Sequence, residues 1–451
     1  MDANPVLFQG APPSLSAKYE GSFAYLTIRD RLPTILTKVI DTIHRNKNKF
    51  FEEYGEEGVQ AEKRAISFLS KLRNELQTDK RVLPLTDGQE DAETWNSYLQ
   101  YQQSHQGELS PVSWFSSPWL YVECYMYRRI QEALWLNPPV NEFDVFWEGK
   151  SQSFLDSTAA ITALCTHMEL VRRGLTHSSD SHTLDQLFKL LQVSLWGNKC
   201  DLSISAGQEN SQKGSPLDSL DSLRAFVLVN HSKQVWSVLA AARGDGQGQR
   251  SPGRVDIVLD NAGFELVTDL VLADFLIAAG LATEIRFHGK SFPWFVSDVT
   301  ARDFEWTILQ TSAANHKWMS ACGVQWKRYL KEGVWSYHDH AFWTLPHDFG
   351  DMASSAPDLY ASLRSARLLL FKGDLNYRKL VGDRDWPHTT PFHLALRGFH
   401  PAPLCSLRTL KANVQVGLEA GQGEELSTAT STWMTSGSYG VIQFCSSDRE
   451  Q

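Results

Sequence analysis

The sequence predicts an α/β protein in which an N-terminal helical bundle packs on a Rossmann-like parallel sheet covered by helices. Three observations support this prediction. From residue 255 onward, short apolar runs typical of buried strands alternate with segments whose apolar residues recur about every 3.6 positions. Before residue 136 only the helical period is present. The chain has 451 residues, which is long enough for two or three domains. Its composition, 42% hydrophobic and 21% charged, is that of an ordinary globular protein.

The N-terminal half shows helical stripes and no strand pattern. Ile35, Val39 and Ile43 lie on one stripe, and residues 65–76 carry a second one. Residues 7–10 resemble the end of a protease site used in expression tags, so the first residues are expected to be disordered or left by a tag. The predicted segments are a tail at residues 1–20, a helical N-terminal domain at residues 21–190 and an α/β catalytic domain at residues 191–451.

Alternation in the C-terminal half predicts a parallel sheet with right-handed crossovers. The carboxyl ends of its strands would meet at one edge, where ligands bind in open α/β sheets. The predicted strands are residues 255–259, 284–287, 341–345, 368–371 and 404–407, and the predicted helices between them are residues 264–279, 301–313 and 357–364.

The composition of the chain excludes some partners and cellular locations. With 43 Lys and Arg against 52 Asp and Glu, the net charge is −9, which argues against a nucleic-acid partner. The six cysteines are scattered without a CxxC pair, as is typical of reduced thiols. No apolar run approaches the roughly 20 residues of a membrane span, so no membrane association is expected. We therefore expect a cytoplasmic or nuclear protein, or one found in both compartments.

An acidic set is predicted at the carboxyl edge of the sheet. Asp260 and Asn261 end the first strand, and Asp298 follows the next strand along the chain. Two carboxylates and an amide oxygen suit Mg²⁺ or Mn²⁺, with positions left for water and a phosphate oxygen. The alternative is structural, because Asp and Asn at such positions often cap the following helix or stabilise a turn.

Basic clusters follow two later strands, at residues 371–379 and 408–411. Their Lys and Arg residues would stabilise the negative charge that develops in phosphoryl transfer, and the alternative is a solvated basic loop. Residues 289–291 imitate the end of a phosphate-binding loop, but Glu284 stands where its first glycine is required. The histidines at 338, 340 and 347 are more simply assigned to packing and loop hydrogen bonds than to a metal.

These motifs together resemble the metal-dependent damage-control phosphatases, formerly a domain family of unknown function. Residues 123–130 and 196–203 resemble a vertebrate member of that family. The motifs that carry the resemblance are residues 198–201, 259–265, 297–298, 372–379 and 408–411.

The resemblance implies a phosphatase that uses Co²⁺, Ni²⁺, Mn²⁺ or Mg²⁺ to hydrolyse sugar phosphates such as fructose 1-phosphate and fructose 6-phosphate. Asp260, Asn261 and Asp298 match the family's metal ligands and would be the catalytic residues. The residues expected to bind substrate are Asp374, Leu375, Asn376, Tyr377, Arg378, Arg408 and Lys411.

A second activity implied by the resemblance is S-adenosylmethionine-dependent methylation of glutamate carboxyl groups on the DNA polymerase sliding clamp. Glu265 matches a residue proposed to contact that cofactor, although it also suits the first turn of a helix as an acid. A methyltransferase of this topology needs a glycine-rich turn after its first strand, and here only Gly263 is present. Phosphatase is therefore the first prediction, methyltransferase the second, and a non-catalytic metal- or phosphate-binding scaffold the third.

Overall fold

The computed structural model describes residues 10–106, 111–175, 179–197, 220–241 and 253–446. Within these ranges the chain folds as an α/β protein around one seven-stranded sheet, and the predicted fold class is confirmed. Residues 198–201, which carry part of the family resemblance, lie outside the described residues.

The strands assemble in the order β1-β7-β6-β5-β2-β3-β4. Strands β2 to β6 are mutually parallel, as predicted, whereas β7 runs antiparallel to β6 and β1 pairs in parallel with β7. The strands are β1 (Val227–Asn230), β2 (Arg254–Val258), β3 (Glu284–His288), β4 (Trp335–His338), β5 (Leu368–Lys372), β6 (Leu404–Thr409) and β7 (Gly440–Cys445).

One predicted strand is wrong. The chain forms a 3-10 turn at Ala341–Thr344, and the edge strand is instead β4, which precedes that turn. Trp335 of β4 is buried and pairs with Ile285 of β3, but the rest of β4 is polar and only partly buried. An edge strand buries less of its surface than a central one, so its sequence lacks the apolar run used for the prediction.

The helices surround the sheet. They are α1 (Phe23–Leu26), α2 (Leu32–Arg45), α3 (Lys47–Gln77, broken at Gly55), α4 (Ala92–Gln106), α5 (Trp119–Trp135), α6 (Trp147–Asp156), α7 (Thr158–Leu175), α8 (Asp180–Leu195), α9 (Leu220–Leu223), α10 (Ser232–Ala240), α11 (Phe264–Ala278), α12 (Ala301–Ser312), α13 (Lys317–Lys331), α14 (Met352–Ser355), α15 (Pro357–Leu363), α16 (Gly373–Val381), α17 (Phe392–Ala395) and α18 (Gln422–Ala429). None of these helices has the length and apolar composition to cross a membrane.

Two apolar cores lie on the two faces of the sheet. One contains the N-terminal bundle with α5 and α16, and the other contains α7, α8 and α11. Helix α5 is buried from residue 119 to residue 134, and α11 is buried over almost its whole length. Helices that are buried on every side lie in the interior of a large fold. Helix α11 is accordingly mostly apolar, whereas α5 buries charged residues such as Arg128, which pairs with Asp87 and Asp91.

Part of the predicted N-terminal tail belongs to the fold. Ser14 pairs with Arg384 and Ser16 with Pro118 in single antiparallel bridges, and Ala17 is only 1% exposed. This segment links the helical bundle to the loop after α16. The predicted tail at residues 1–20 is therefore wrong for these residues.

Candidate active site

The end of β2 brings together the three residues predicted to hold a metal. The backbone of Asp260 accepts a hydrogen bond from the Val299 amide at 2.9 Å, and Asn261 forms a single antiparallel bridge with Asp298. The loop after β3 therefore returns beside the end of β2. This return places Asp298 next to Asp260 and Asn261, as the parallel topology predicted.

Asn261 connects two carboxylates at the site. Its amide nitrogen donates to Asp260 Oδ2 at 2.6 Å and to Glu265 Oε2 at 2.9 Å, while its oxygen accepts from Ser297 at 2.5 Å. Asp260 and Glu265 are each 8% exposed, and Asp298 is 2% exposed. The three carboxylates are therefore largely removed from water.

The charge of these carboxylates is incompletely balanced. Burial, together with the charges of Glu265 and Asp298, raises the pKa of Asp260 well above its usual range, although Lys411 and Lys290 oppose the rise. Burial likewise raises the pKa of Asp298 to about 6, against the effect of Lys290. A buried carboxylate with a raised pKa is stabilised by a proton or by a bound cation. The site is therefore suited to receive positive charge.

Lys290 supplies part of that charge. It is 2% exposed, and its Nζ lies 3.2 Å from Asp298 Oδ2. The short motif around it is not a phosphate-binding loop: it pairs with Thr300 in a bridge between two loops. Lys290 was not predicted as a site residue, because only the return of the β3 loop brings it beside Asp298.

A glycine allows the next strand-to-helix junction to approach Asp260. Helix α16 begins at Gly373, whose φ is +83°. A Cβ atom at this position would lie 1.9 Å from Asp260 Oδ2, so a larger residue could not occupy it without displacing the carboxylate. The absence of a side chain at residue 373 therefore fixes the position of Asp260 against the start of α16.

A second buried cation lies behind Glu265. Lys372 Nζ donates to Ser194 Oγ at 2.8 Å, and it lies 3.0 Å from Asp269 Oδ1 and 3.8 Å from Glu265 Oε1. Burial raises the pKa of Asp269 to about 6 even though Lys372 opposes the rise. The sequence signal for this contact was Asp269, an acid four residues after Glu265 in a mostly apolar helix, because a buried acid requires a partner.

Two of the predicted substrate residues lie beside the acidic set. Asp374 Oδ1 accepts from Arg408 Nε at 2.8 Å and from the Lys411 backbone amide at 3.1 Å. Burial raises the pKa of Asp374, but the arginines outweigh it and the net shift is downward. The Lys411 side chain is exposed, and its charge acts on Asp260. Lys411 is therefore available to an anionic ligand at this edge.

The other predicted substrate residues point into the protein. Arg378 pairs with Asp383 at 2.9 Å and with Glu123 of α5 at 2.7 Å, and Arg408 is fully buried. The Asn376 amide donates to backbone carbonyls, the Tyr377 hydroxyl donates to Gln443, and Leu375 is packed in the core. These five residues hold the strand ends in place; the structure does not bring their polar groups to the crevice.

The donor set at the β2 end fits a hard divalent cation. Among the described residues, no group of three or more His, Cys, Asp or Glu side chains is arranged to hold a metal. Asp260 and Asp298 supply two carboxylates, and the Asn261 amide would complete a smaller, all-oxygen set by turning its oxygen from Ser297 toward them. Mg²⁺ characteristically uses few protein ligands and keeps several waters. The uncompensated burial of Asp260 and Asp298 agrees with this fit.

Open α/β sheets bind their ligands at the carboxyl ends of the parallel strands, and this edge carries both carboxylates and lysines. These features are typical of α/β enzymes that act on anionic substrates. Residues 27–426 match the family model described as the Damage-control phosphatase ARMT1-like domain. The chain belongs to the damage-control phosphatase family, and it is a phosphatase.

Curated relatives support the assignment over almost the full length. Proteins named Damage-control phosphatase ARMT1 are 66% identical in Danio rerio, over 98% of this chain and 98% of the relative. The Xenopus tropicalis protein is 62% identical over 97% and 99%, and the Homo sapiens protein is 58% identical over 96% and 98%. A solved Pyrococcus horikoshii protein described as a DUF89 family protein aligns at 14% identity and a TM-score of 0.35, over 73% of this chain and 86% of that chain.

Proposed function

We propose that this phosphatase hydrolyses sugar phosphates such as fructose 1-phosphate and fructose 6-phosphate with the help of a divalent metal ion, as part of metabolite damage control. The observation that carries the proposal is the pair of buried carboxylates, Asp260 and Asp298, whose negative charge the neighbouring lysines do not fully balance. A site of this kind gains stability from a cation, and a cation is what an incoming phosphate dianion requires.

Asp260, Asn261 and Asp298 are the residues that would hold the metal. Mn²⁺ and Ni²⁺ are the first candidates, followed by Co²⁺ and Mg²⁺. A divalent ion at this position would polarise a phosphoryl oxygen and lower the pKa of a bound water. Burial of the carboxylates keeps their charge unscreened by solvent, so they hold the cation more firmly than exposed acids would.

The lysines would act on the substrate and on the local charge. Lys411 is exposed beside Asp260 and Asp374 and is free to approach a phosphate oxygen. Lys290 remains paired with Asp298 and limits the net negative charge that an anionic substrate meets. Fixed cations placed where negative charge develops are a large contribution to catalysis of phosphoryl transfer.

Methylation of the sliding clamp with S-adenosylmethionine stays the alternative. It depends on Glu265, whose carboxylate accepts a hydrogen bond from Asn261 at 2.9 Å and lies 3.8 Å from Lys372. These contacts tie Glu265 to the proposed metal set, so we expect S-adenosylmethionine, if it binds, to compete with the sugar phosphate. Calorimetric titration of the cofactor into enzyme saturated with Mn²⁺ and fructose 1-phosphate tests this, and undiminished affinity would favour a separate methyltransferase site.

The proposal is tested by phosphate release from a panel of sugar phosphates. EDTA is expected to abolish turnover, and restoring Mn²⁺, Ni²⁺, Co²⁺ or Mg²⁺ one at a time ranks the metals. Asp260→Asn and Asp298→Asn are expected to lose at least about 100-fold in kcat/KM while remaining folded, because each removes an anionic ligand. Asp339→Asn is the matched control, since Asp339 is an exposed acid that follows β4 at the same edge. EDTA-resistant turnover, or near wild-type activity of Asp260→Asn at limiting metal, would overturn the proposal.

A further inference from the structure

A cavity lies away from the candidate active site. It has a volume of about 280 Å³ and is lined by the N-terminal segment, α4, the start of α5, the segment that precedes α14 and the loop that follows α16. It shares none of its lining residues with the acidic set at the β2 end. Its lining includes the aromatic residue Tyr101 and five titratable residues, which are His105, Asp348, Asp351, Arg384 and Arg397.

The carboxylates of this cavity each have a basic neighbour of their own. Asp348 pairs with Arg397 at 2.7 Å, and Asp383 pairs with Arg378 at 2.9 Å. Asp351 lies 3.5 Å from the imidazole of His347. These pairings leave Arg384 as the lining cation for which the described residues provide no carboxylate within ion-pair distance.

Arg384 is also short of hydrogen-bond acceptors. One terminal nitrogen donates to the Pro12 carbonyl at 2.8 Å, but the buried Nε has no acceptor among the described residues. Burial lowers the pKa of Arg384, and the charge of Arg397 lowers it further, while the charges of Asp348 and Asp351 oppose the change without reversing it. A guanidinium carries five N–H donors, and leaving them unpaired away from water is costly. An anion that entered the cavity would therefore find a cation whose one hydrogen bond in the described part of the chain goes to a neutral carbonyl.

We propose that this cavity binds a small oxyanion, either inorganic phosphate or the phosphate or carboxylate group of a small metabolite, against the guanidinium of Arg384. The planar guanidinium presents paired donors that match the geometry of such oxygens. A volume of about 280 Å³ is below the roughly 300–1,000 Å³ of pockets for drug-sized ligands, which restricts the site to a small molecule.

Ser14 provides a test that does not depend on removing the arginine. It lines the cavity and faces Arg384 in an antiparallel bridge, in which the Leu15 amide donates to the Asp383 carbonyl and the Asp385 amide to the Pro13 carbonyl. This is the non-hydrogen-bonded type of antiparallel pair, whose side chains lie closest together. A carboxylate placed at residue 14 would therefore occupy the position of the oxyanion.

Calorimetric titration of inorganic phosphate into the full chain in EDTA is the experiment, with acetate in a parallel arm. EDTA removes divalent metal from the proposed catalytic set, so phosphate binding seen here does not depend on the proposed function. We expect one site, at least tenfold weaker binding in Arg384→Gln, and unchanged binding in Arg364→Gln, whose arginine is exposed after α15. The arm with the lower Kd shows whether the natural ligand offers a phosphate or a carboxylate.

Ser14→Asp is expected to abolish binding of both ions and to raise the Tm, because it supplies the missing partner within the chain. A gain in stability cannot result from misfolding, so this variant remains informative if Arg384→Gln fails to fold. Absence of binding to the wild-type chain by both ions would overturn the proposal. Undiminished binding in folded Arg384→Gln, or binding retained in Ser14→Asp, would overturn it as well.

Discussion

Replacing Gly373 with alanine tests how the start of α16 positions the candidate metal ligand Asp260. The added Cβ would lie 1.9 Å from Asp260 Oδ2, whereas Cβ atoms essentially never come closer than 3.0 Å to another heavy atom. The carboxylate must therefore move by about 1 Å, a displacement that can cost on the order of 100-fold in rate when it affects catalytic geometry. We expect kcat/KM to fall by about 100-fold, which corresponds to about 2.7 kcal/mol.

A stability cost accompanies this change. The φ of Gly373 is +83°, and a residue with a side chain in the left-handed region costs about 1–2 kcal/mol. Gly280→Ala is the matched control: its φ is +66° and no atom lies within 4 Å of the added Cβ. Both variants are expected to lose stability from the backbone conformation, and Gly373→Ala should lose more because its Cβ also displaces Asp260. Only Gly373→Ala should lose activity.

Phosphate release at saturating Mn²⁺ and urea unfolding, measured on both variants, separate the two effects. The ratio of their kcat/KM values reports the displacement of Asp260 once the shared backbone cost is removed. If Gly373→Ala retained activity within threefold of Gly280→Ala, the reasoning that the glycine fixes Asp260 would be refuted.

Three further predictions concern residues at and behind the site. Arg378→Ala should lower the free energy of unfolding by about 3–5 kcal/mol in urea titrations, because two buried carboxylates lose their cation; a loss below about 1 kcal/mol would contradict this. Lys411→Ala should lower kcat/KM for sugar phosphates by about tenfold or more with an unchanged Tm, and exposed Lys331→Ala should change neither. Burial lowers the pKa of His288, so protonation favours the unfolded chain and stability should fall as the pH drops below about 6.5. Thermal unfolding from pH 7 to 5 checks this, and His288→Gln should remove that part of the dependence.

The position of the candidate site followed from the sequence. Apolar runs ending in polar residues predicted parallel strands, and the ends of parallel strands meet at one edge. This argument placed Asp260, Asn261 and Asp298 together, and the structure brings them into contact. The sequence did not predict three of the strands: β1 and β7 lie at one side of the sheet and β4 at the other, so none of them separates β2 from β3 or β5.

The direction of each side chain was decided by the tertiary structure. Asp374 and Arg378 belong to one motif on α16, yet Asp374 lies beside Lys411 while Arg378 is buried against α5. Lys290 came from a motif that sequence reasoning had rejected, and the return of the β3 loop brings it to Asp298.

The sequence by itself determined the fold class and the edge of the sheet where the candidate site lies, because burial periodicity is a local property of each segment and parallel strands end at the same edge. Only the tertiary structure decided which charged residues face the crevice and which are paired in the interior. The physical reason is that a buried charge is stable only with a partner, and partners can be distant in sequence: those of Arg378 and Lys372 include Glu123 and Ser194, which lie 255 and 178 residues away.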